Sequence, residues 1–356
     1  MSIRHRRLQN QHLTGPKLND PVDVLRSLVA IQGQDYYGAK WALAQRTTGC
    51  TDAHVEEAFS DGRILRLHVM RPTWHFVAPE DLRWLVKLTA PRVNVASTHA
   101  FRVAELDPPT LKKTNKAIAK ALQGGKHLTR AELRDVIKRA GVEPGNSMRL
   151  GYIMIRAELD LIVCSGARKG AQFTYALVDE RVPNSTIRDS DDALGKLATR
   201  YFTTRGPATL SDFVWWSGLT MAQAKRGVEI AGADLRSEVM DERTLFSISQ
   251  QQRVSTAKKV HLLPAFDEYF IAYRDRTAGM HPELTQQVTS TRLIYSAPLV
   301  IDGLVVGGWK RVLKGDLVCV AIKPFRSFNG SERAAVSSAA EKFAEFLQCD
   351  LRIDWK

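Results

Sequence analysis

Apolar residues recur at helical spacing through residues 21–46, where Val22, Leu25, Leu28 and Val29 would share one face. A further short helix is expected over residues 52–60. The period then changes to two in ILRLHVMRPTWHFVAPEDL, which predicts a pair of strands, and Pro79-Glu80-Asp81 opens the next helix. Helices followed by a strand pair are the order of a winged helix. The order returns more sharply downstream. Thr129-Arg130-Ala131-Glu132 has the hydroxyl and the carboxylate of a capping box, so the helix LTRAELRDVIKRAG starts there and stops at Gly141. MRLGYIMIRAELDL gives a mostly apolar helix, and IVCSGARKGAQFTYALV reads as strand, a tip from Gly166 to Gly170, and strand. A third instance begins at Asp191. There ALGKLATRYFTTRG is helical, Thr209-Leu210-Ser211-Asp212 caps another helix, and Gly218-Leu219-Thr220 is the turn of a helix-turn-helix. From about residue 255, KKVHLLPAFDEYFIAYRDR and RLIYSAPLVIDGLVVGGWKRVLKGDLVCVAIKP are β-rich, with turns at Asp302-Gly303 and Lys314-Gly315. A last helix, SERAAVSSAAEKFAEFL, precedes a strand-like tail.

These elements predict an α+β chain. Three tandem winged-helix modules would occupy residues 1–105, 106–182 and 183–255, and a β-rich domain with a terminal helix residues 256–356. A length of 356 residues suits several modules of roughly 100 residues each. Hydrophobic residues make up 44% of the chain and charged ones 25%, the balance of a globular protein rather than a disordered one. No apolar run reaches the ~20 residues of a membrane span, and the basic start MSIRHRRLQNQHLTG lacks the apolar centre of a secretory signal. Cys50, Cys164, Cys319 and Cys349 are scattered, with no histidine at ligand spacing, so neither a disulfide scaffold nor a zinc site is expected. A cytoplasmic location fits.

Charge adds a partner. Lys and Arg number 51 against 38 Asp and Glu, a net +13. Residues 1–150 hold 24 basic and 14 acidic side chains, a net +10; residues 151–356 hold 27 and 24, a net +3. The excess is densest around Lys112, Lys113, Lys116, Lys120, Lys126 and Arg130. A field of that sign attracts polyanions, and counterion release on phosphate contact supplies sequence-independent nucleic-acid affinity. The other reading is a solvated basic helix face.

The sequence contains no GxGxxG, P-loop, GxSxG, HExxH or CxxC. Dinucleotide redox, nucleotide hydrolysis and metalloprotease chemistry lose their support, and no cofactor or metal is expected. One motif stands out, Ile31-Gln32-Gly33-Gln34-Asp35-Tyr36-Tyr37-Gly38, late in the first apolar run. Two glutamines at i and i+2 point apart on a helix but share one side of an extended segment. Gly33 and Gly38 favour such a break. Each carboxamide offers one acceptor and two donors, so the pair could hold one water in a fixed orientation. Two solvated glutamines at a helix terminus are the plainer account.

In that context IQGQDYYGAKWALAQR resembles the signature of the AlkZ-like winged-helix DNA glycosylases. The resemblance extends to RLHVMRPTWHFV, LLPAFDEYFIAYRDR and GGWKR, and so covers most of the chain. It implies a bacterial, monomeric repair enzyme acting on double-stranded DNA, one that excises alkylated purines and can unhook interstrand crosslinks. One branch of the family carries Gln-x-Gln and the other Gln-x-Asp; Gln32 and Gln34 match the first. The resemblance makes Gln34 the main water-positioning residue and Gln32 its partner. An N7-alkylated purine leaves as a cation-derived neutral base, so the general acid used on ordinary glycosides is dispensable. Two amides can then supply acceptor oxygens and place the water. Asp35 would face the other way.

Further candidates have two accounts each. In RPTWHF, Arg71, Thr73 and His75 would share one face and Pro72, Trp74 and Phe76 the other. That is either a surface row over a core row, or it sets His75 at the lesion pocket and Arg71 on a phosphate. Asp267 and Tyr269, close to Tyr273, are pocket candidates or holders of structural hydrogen bonds. Arg168, Lys169, Lys310 and Arg311 are candidate DNA contacts or solvated turn charges. Trp215 and Trp216 pack within the third module or stack on a base. The competing function is a non-catalytic winged-helix regulator, which would bind specific sequences as a dimer; an RNA-binding module is a third.

Overall fold

A computed structural model describes residues 2–183, 187–248, 259–281 and 296–356. The protein is mixed α+β and forms two compact units. One contains residues 1–56, 195–216 and 220–356, the other residues 57–194 and 217–219. The chain leaves the first unit and later returns to it, a division that differs from four successive segments. The expected boundary near residue 255 and most of the RLIYS stretch lie outside the described residues.

The unit of residues 57–194 and 217–219 begins with a hairpin of strands Leu65–Val69 and Arg71–Val77, turned through Met70 at φ +63°. Pro79 sits in the first turn of helix Pro79–Val103, where its missing N–H has no helical partner to lose. The capping box forms as the sequence predicts. Thr129 Oγ1 accepts from Glu132 N at 3.2 Å, and Glu132 Oε2 accepts from Thr129 N at 2.7 Å. Helix Arg130–Arg139 follows, with Gly141 at φ +72° just past its end. Helices Pro108–Leu122 and Ser147–Leu159 pack with it around Leu111, Ile118, Leu133, Ile137 and Ile153. Strands Val163–Ser165 and Thr174–Leu177 pair antiparallel as expected, and Leu128–Thr129 pairs on the outer side of the second strand.

In the unit of residues 1–56, 195–216 and 220–356, the apolar run over residues 21–46 is broken. Helix Pro21–Leu28 ends, Ala30–Gln32 are extended, and helix Tyr36–Ala44 starts after Asp35. Helices Ser190–Arg205, Leu210–Ser217 and Met221–Ala231 follow in the expected order; residues up to 194 and residues 217–219, with Gly218 at φ +73°, are assigned to the other unit. Strands Leu235–Met240 and Arg243–Ile248 then pair as a hairpin.

A five-stranded sheet completes this unit, in the spatial order Asp350–Trp355, Leu317–Pro324, Leu304–Lys314, Ala297–Ile301, Val260–Leu262. The last strand in sequence runs parallel to Leu317–Pro324 because helix Gly330–Leu347 carries the chain back between them. Asp302 and Gly303, at φ +50° and +81°, form the primed hairpin turn that Asp-Gly predicts. The second turn lies one residue later than expected, at Gly315 and Asp316. The larger correction is at AFDEYFIAYRDR, which is not strand. Asp267 caps a single helical turn, Glu268–Ile271, by accepting from Tyr269 N at 2.9 Å. Glu268, Tyr269, Phe270 and Ile271 are all buried, so no alternation marks either structure. Two indoles pin this segment: Trp41 Nε1 donates to Leu262 O at 2.6 Å and Trp309 Nε1 to Leu263 O at 2.7 Å. Both rings meet Phe343 edge-on at 5.0 Å.

Candidate active site

Val29, directly after helix Pro21–Leu28, adopts φ +68°, ψ −55°. A β-branched side chain reaches that region only under strain, of order 1–3 kcal/mol. The turn frees the chain to run extended into Gln32. Arg205 spans it: Nη1 donates to Leu28 O at 2.9 Å and Nη2 to Ala30 O at 3.1 Å. The same guanidinium reaches Glu268 Oε2 from Nε and Nη2 at 3.0 and 2.6 Å. Trp216 Nε1 donates to that oxygen at 2.9 Å, and its ring lies 4.2 Å from the guanidinium carbon. The other oxygen of Glu268, Oε1, accepts from Gln32 N at 3.3 Å. The side chains of Arg205 and Glu268 are both 0% exposed.

Beyond Gly33 the second glutamine emerges. Gln32 is buried and Gln34 exposed. Asp35 then caps helix Tyr36–Ala44, its Oδ1 accepting from Gly38 N at 3.0 Å. Arg311 Nη2 lies 3.3 Å from Asp35 Oδ2 and 3.4 Å from Oδ1. A Cβ on Gly38 would stand 2.4 Å from Asp35 Oδ2 and 3.1 Å from Pro264 Cβ, so only glycine fits this approach. The expected break in the helix is present, with an amide on each side of Gly33. The neighbouring carboxylate is engaged in a cap and an ion pair, and Arg311, a candidate phosphate contact, is the partner in that pair.

Two pocket candidates are interior residues. Asp267 faces Arg46 through two bonds of 2.8 and 3.0 Å, and neither side chain is exposed. Tyr269 donates its hydroxyl to Gly303 O at 2.8 Å, and burial raises its phenol well above the usual range. Structural hydrogen bonds account for both.

His75 and Arg71 belong to the other unit. His75 is fully buried, its Nδ1 3.0 Å from Thr73 O. The expected alternation of surface and core fails here. Pro72 is exposed, while His75, Phe76 and Val77 are buried in succession, so both faces of the strand end are covered. Arg71 is half-buried. At the wing tip, Arg168 Nη2 turns back to Ala171 O at 2.7 Å and the guanidinium covers Phe173, while Lys169 pairs with Glu132 at 3.0 Å. Lys310 is exposed on its strand. Trp216 packs internally; Trp215 is 41% exposed, with its indole N–H bonded to Ile271 O at 3.0 Å.

The residues that sequence reasoning missed are Arg46, Arg205 and Glu268. Their signal was a charge inside an apolar stretch: Arg46 closing WALAQR, Arg205 closing RYFTTR, and Asp267-Glu268 within LLPAFDEYFIAY. Charges are buried only when paired, so opposite charges in separate apolar runs are candidates to meet.

Among the described residues no three His, Cys, Asp or Glu side chains gather as a metal-binding group, and no helix is long and apolar enough to cross a membrane. No curated protein matches the chain. Among solved structures, the Streptomyces sahachiroi DNA glycosylase AlkZ is similar in fold, with a TM-score of 0.82 over 98% of each chain at 21% sequence identity. Residues 25–346 match the profile of a family described as DNA glycosylase AlkZ-like. That span takes in the glutamine motif, the buried ion pairs and four of the five strands of the sheet, and the chain therefore belongs to the AlkZ-like family and is a DNA glycosylase, an enzyme of DNA repair.

Proposed function

We propose that the enzyme hydrolyses the N-glycosidic bond of N7-alkylated purines in duplex DNA, with the attacking water oriented by the carboxamides of Gln32 and Gln34. The observation that supports this reading is the commitment of Asp35. Its carboxylate caps a helix and pairs with Arg311, which removes the acid next to the motif as the base and favours the carboxamide chemistry of the two preceding glutamines. Amides are weak bases, and that matches a substrate whose base is already cationic. The leaving group needs no proton, the sugar becomes oxocarbenium-like, and an aligned water with an acceptor oxygen nearby suffices. Undamaged purines, lacking the charge, would be left intact. The same chemistry serves an N7-linked interstrand crosslink, whose unhooking we include in the proposal.

The tandem winged-helix organisation, over residues 1–105, 106–182 and 183–255 with a β-rich domain after it, is kept as part of this proposal. It is supported by the order of three helices and then a hairpin in the second and third stretches, and by a hairpin after four helices, Ile3–Asn10, Pro21–Leu28, Tyr36–Ala44 and Asp52–Ser60, in the first.

The test is release of 7-methylguanine from methylated duplex, followed by alkaline cleavage at the abasic sites. Gln32→Ala and Gln34→Ala should each slow release by about 100-fold or more, the scale of losing one preorganised polar group. Full release by the double variant would end the reading. A nitrogen-mustard crosslink run in parallel separates unhooking from monoadduct repair.

A further inference from the structure

We propose that the buried Arg205–Glu268 pair positions the glutamine motif for the reaction: it holds the strand Ala30–Gln32 against the strained turn at Val29 and so fixes where the Gln32 carboxamide stands. The proposal rests on the reading of Gln32 and Gln34 above.

The pair is aimed at one piece of backbone. Arg205 takes the carbonyls of Leu28 and Ala30, on either side of Val29, and Glu268 takes the amide of Gln32. Ala30 and Gln32 are alternate residues of the extended segment, and Leu28 is the last residue of the helix before the turn. An ordinary negative φ would be the relaxed state of Val29, which instead stands at φ +68°. A carboxylate and a guanidinium can oppose that relaxation because their bonds are directional. The Arg fork matches two fixed carbonyls, which a single ammonium cannot do. Stability alone is a poor reason for such a pair, since apolar side chains of equal volume usually serve as well or better. Precision of placement is the better reason, because a shift of about 1 Å in a positioning group costs on the order of 100-fold in rate. Trp216 completes the device by donating to Glu268 Oε2 and covering the guanidinium. Neither Arg205 nor Glu268 touches the reacting atoms in this scheme; both act through Gln32.

Three variants of the full chain test it. Glu268→Gln keeps an acceptor for Gln32 N but loses the charge that holds Arg205. Arg205→Lys keeps the charge and loses the fork. Trp216→Phe removes the indole donor alone and covers the case in which a charge variant does not fold. Each is measured for single-turnover release of 7-methylguanine at saturating duplex, for duplex affinity, and for hydrogen exchange of residues 28–33, beside Gln34→Ala. The charge variants should slow release by about 10- to 100-fold and Trp216→Phe by a few-fold, with affinity changed less than two-fold and faster exchange at Gln32. Rate and affinity falling together, in step with lost stability, would mark a merely structural pair and overturn the proposal. So would wild-type release by folded variants while Gln34→Ala is inactive. Full release by Gln34→Ala would instead remove the parent reading, and this proposal with it.

Discussion

At the scale of single residues, the interior of this protein holds titratable groups in fixed states. His261, on the edge strand Val260–Leu262, is 9% exposed. Burial first, and then the charges of Lys17, Arg46, Lys342 and Lys259, lower its pKa from 6.5 to about 3. The unfolded chain takes up this proton near pH 6.5 and the folded chain does not, so the contribution of His261 is complete above that pH. It is lost progressively as the pH falls towards 3, at up to about 1.4 kcal/mol per pH unit. His261→Gln should therefore flatten the fall in the urea midpoint between pH 6.5 and 4.5. An acid limb as steep as the wild type's would assign the fall to other groups.

At the scale of elements, the tight point is the junction of strand Ala30–Gln32 with helix Tyr36–Ala44. Gly38 there lies against Asp35 and Pro264. Gly38→Ala should push the Asp35 carboxylate off its cap and open the contact with Pro264, at a cost of about 1–3 kcal/mol, and release of 7-methylguanine should slow. A thermal melt and the excision assay check both; an unchanged melting temperature would mean the approach is looser than the distances require. The junction also marks how far the sequence could be read. Elements whose signal is local were legible: the capping box at Thr129, the Asp302-Gly303 turn, the strand pair Val163–Ser165 with Thr174–Leu177. The glycines around Gln34 correctly foretold a break in the helix. What escaped was fixed by partners distant in sequence. Nothing near Glu268 says that it meets Arg205, and a buried helical turn with both faces covered looks like strand. His75 shows the converse, since alternation marks only one covered face and this strand end has two.

At the scale of the whole molecule, the positive field should act through a few identifiable charges. Lys112, Lys116 and Lys120 lie at i, i+4 and i+8 on helix Pro108–Leu122, all exposed, while Leu111, Thr114, Ile118 and Leu122 are buried. No acidic residue occurs in that helix, and among the described residues none of these three lysines has a carboxylate partner. In the same unit Lys169 is held by Glu132 and Arg156 by Asp160. Eight residues of helix span ~12 Å, over which one DNA strand presents three or four phosphates at ~3.4 Å of axial rise each. The match in length and the absence of competing carboxylates predict that this row contacts phosphates on duplex of any sequence. Replacing all three by Gln, which keeps helix propensity, should reduce the slope of log K against log salt on undamaged duplex by about 2.7, that is about 0.9 per phosphate released. The matching Lys→Arg variant should keep the slope. An unchanged slope in the Gln variant would identify the row as a solvated face. A weaker complex with the original slope would point to a disturbed fold, because only direct neutralisation of phosphates changes the number of ions set free.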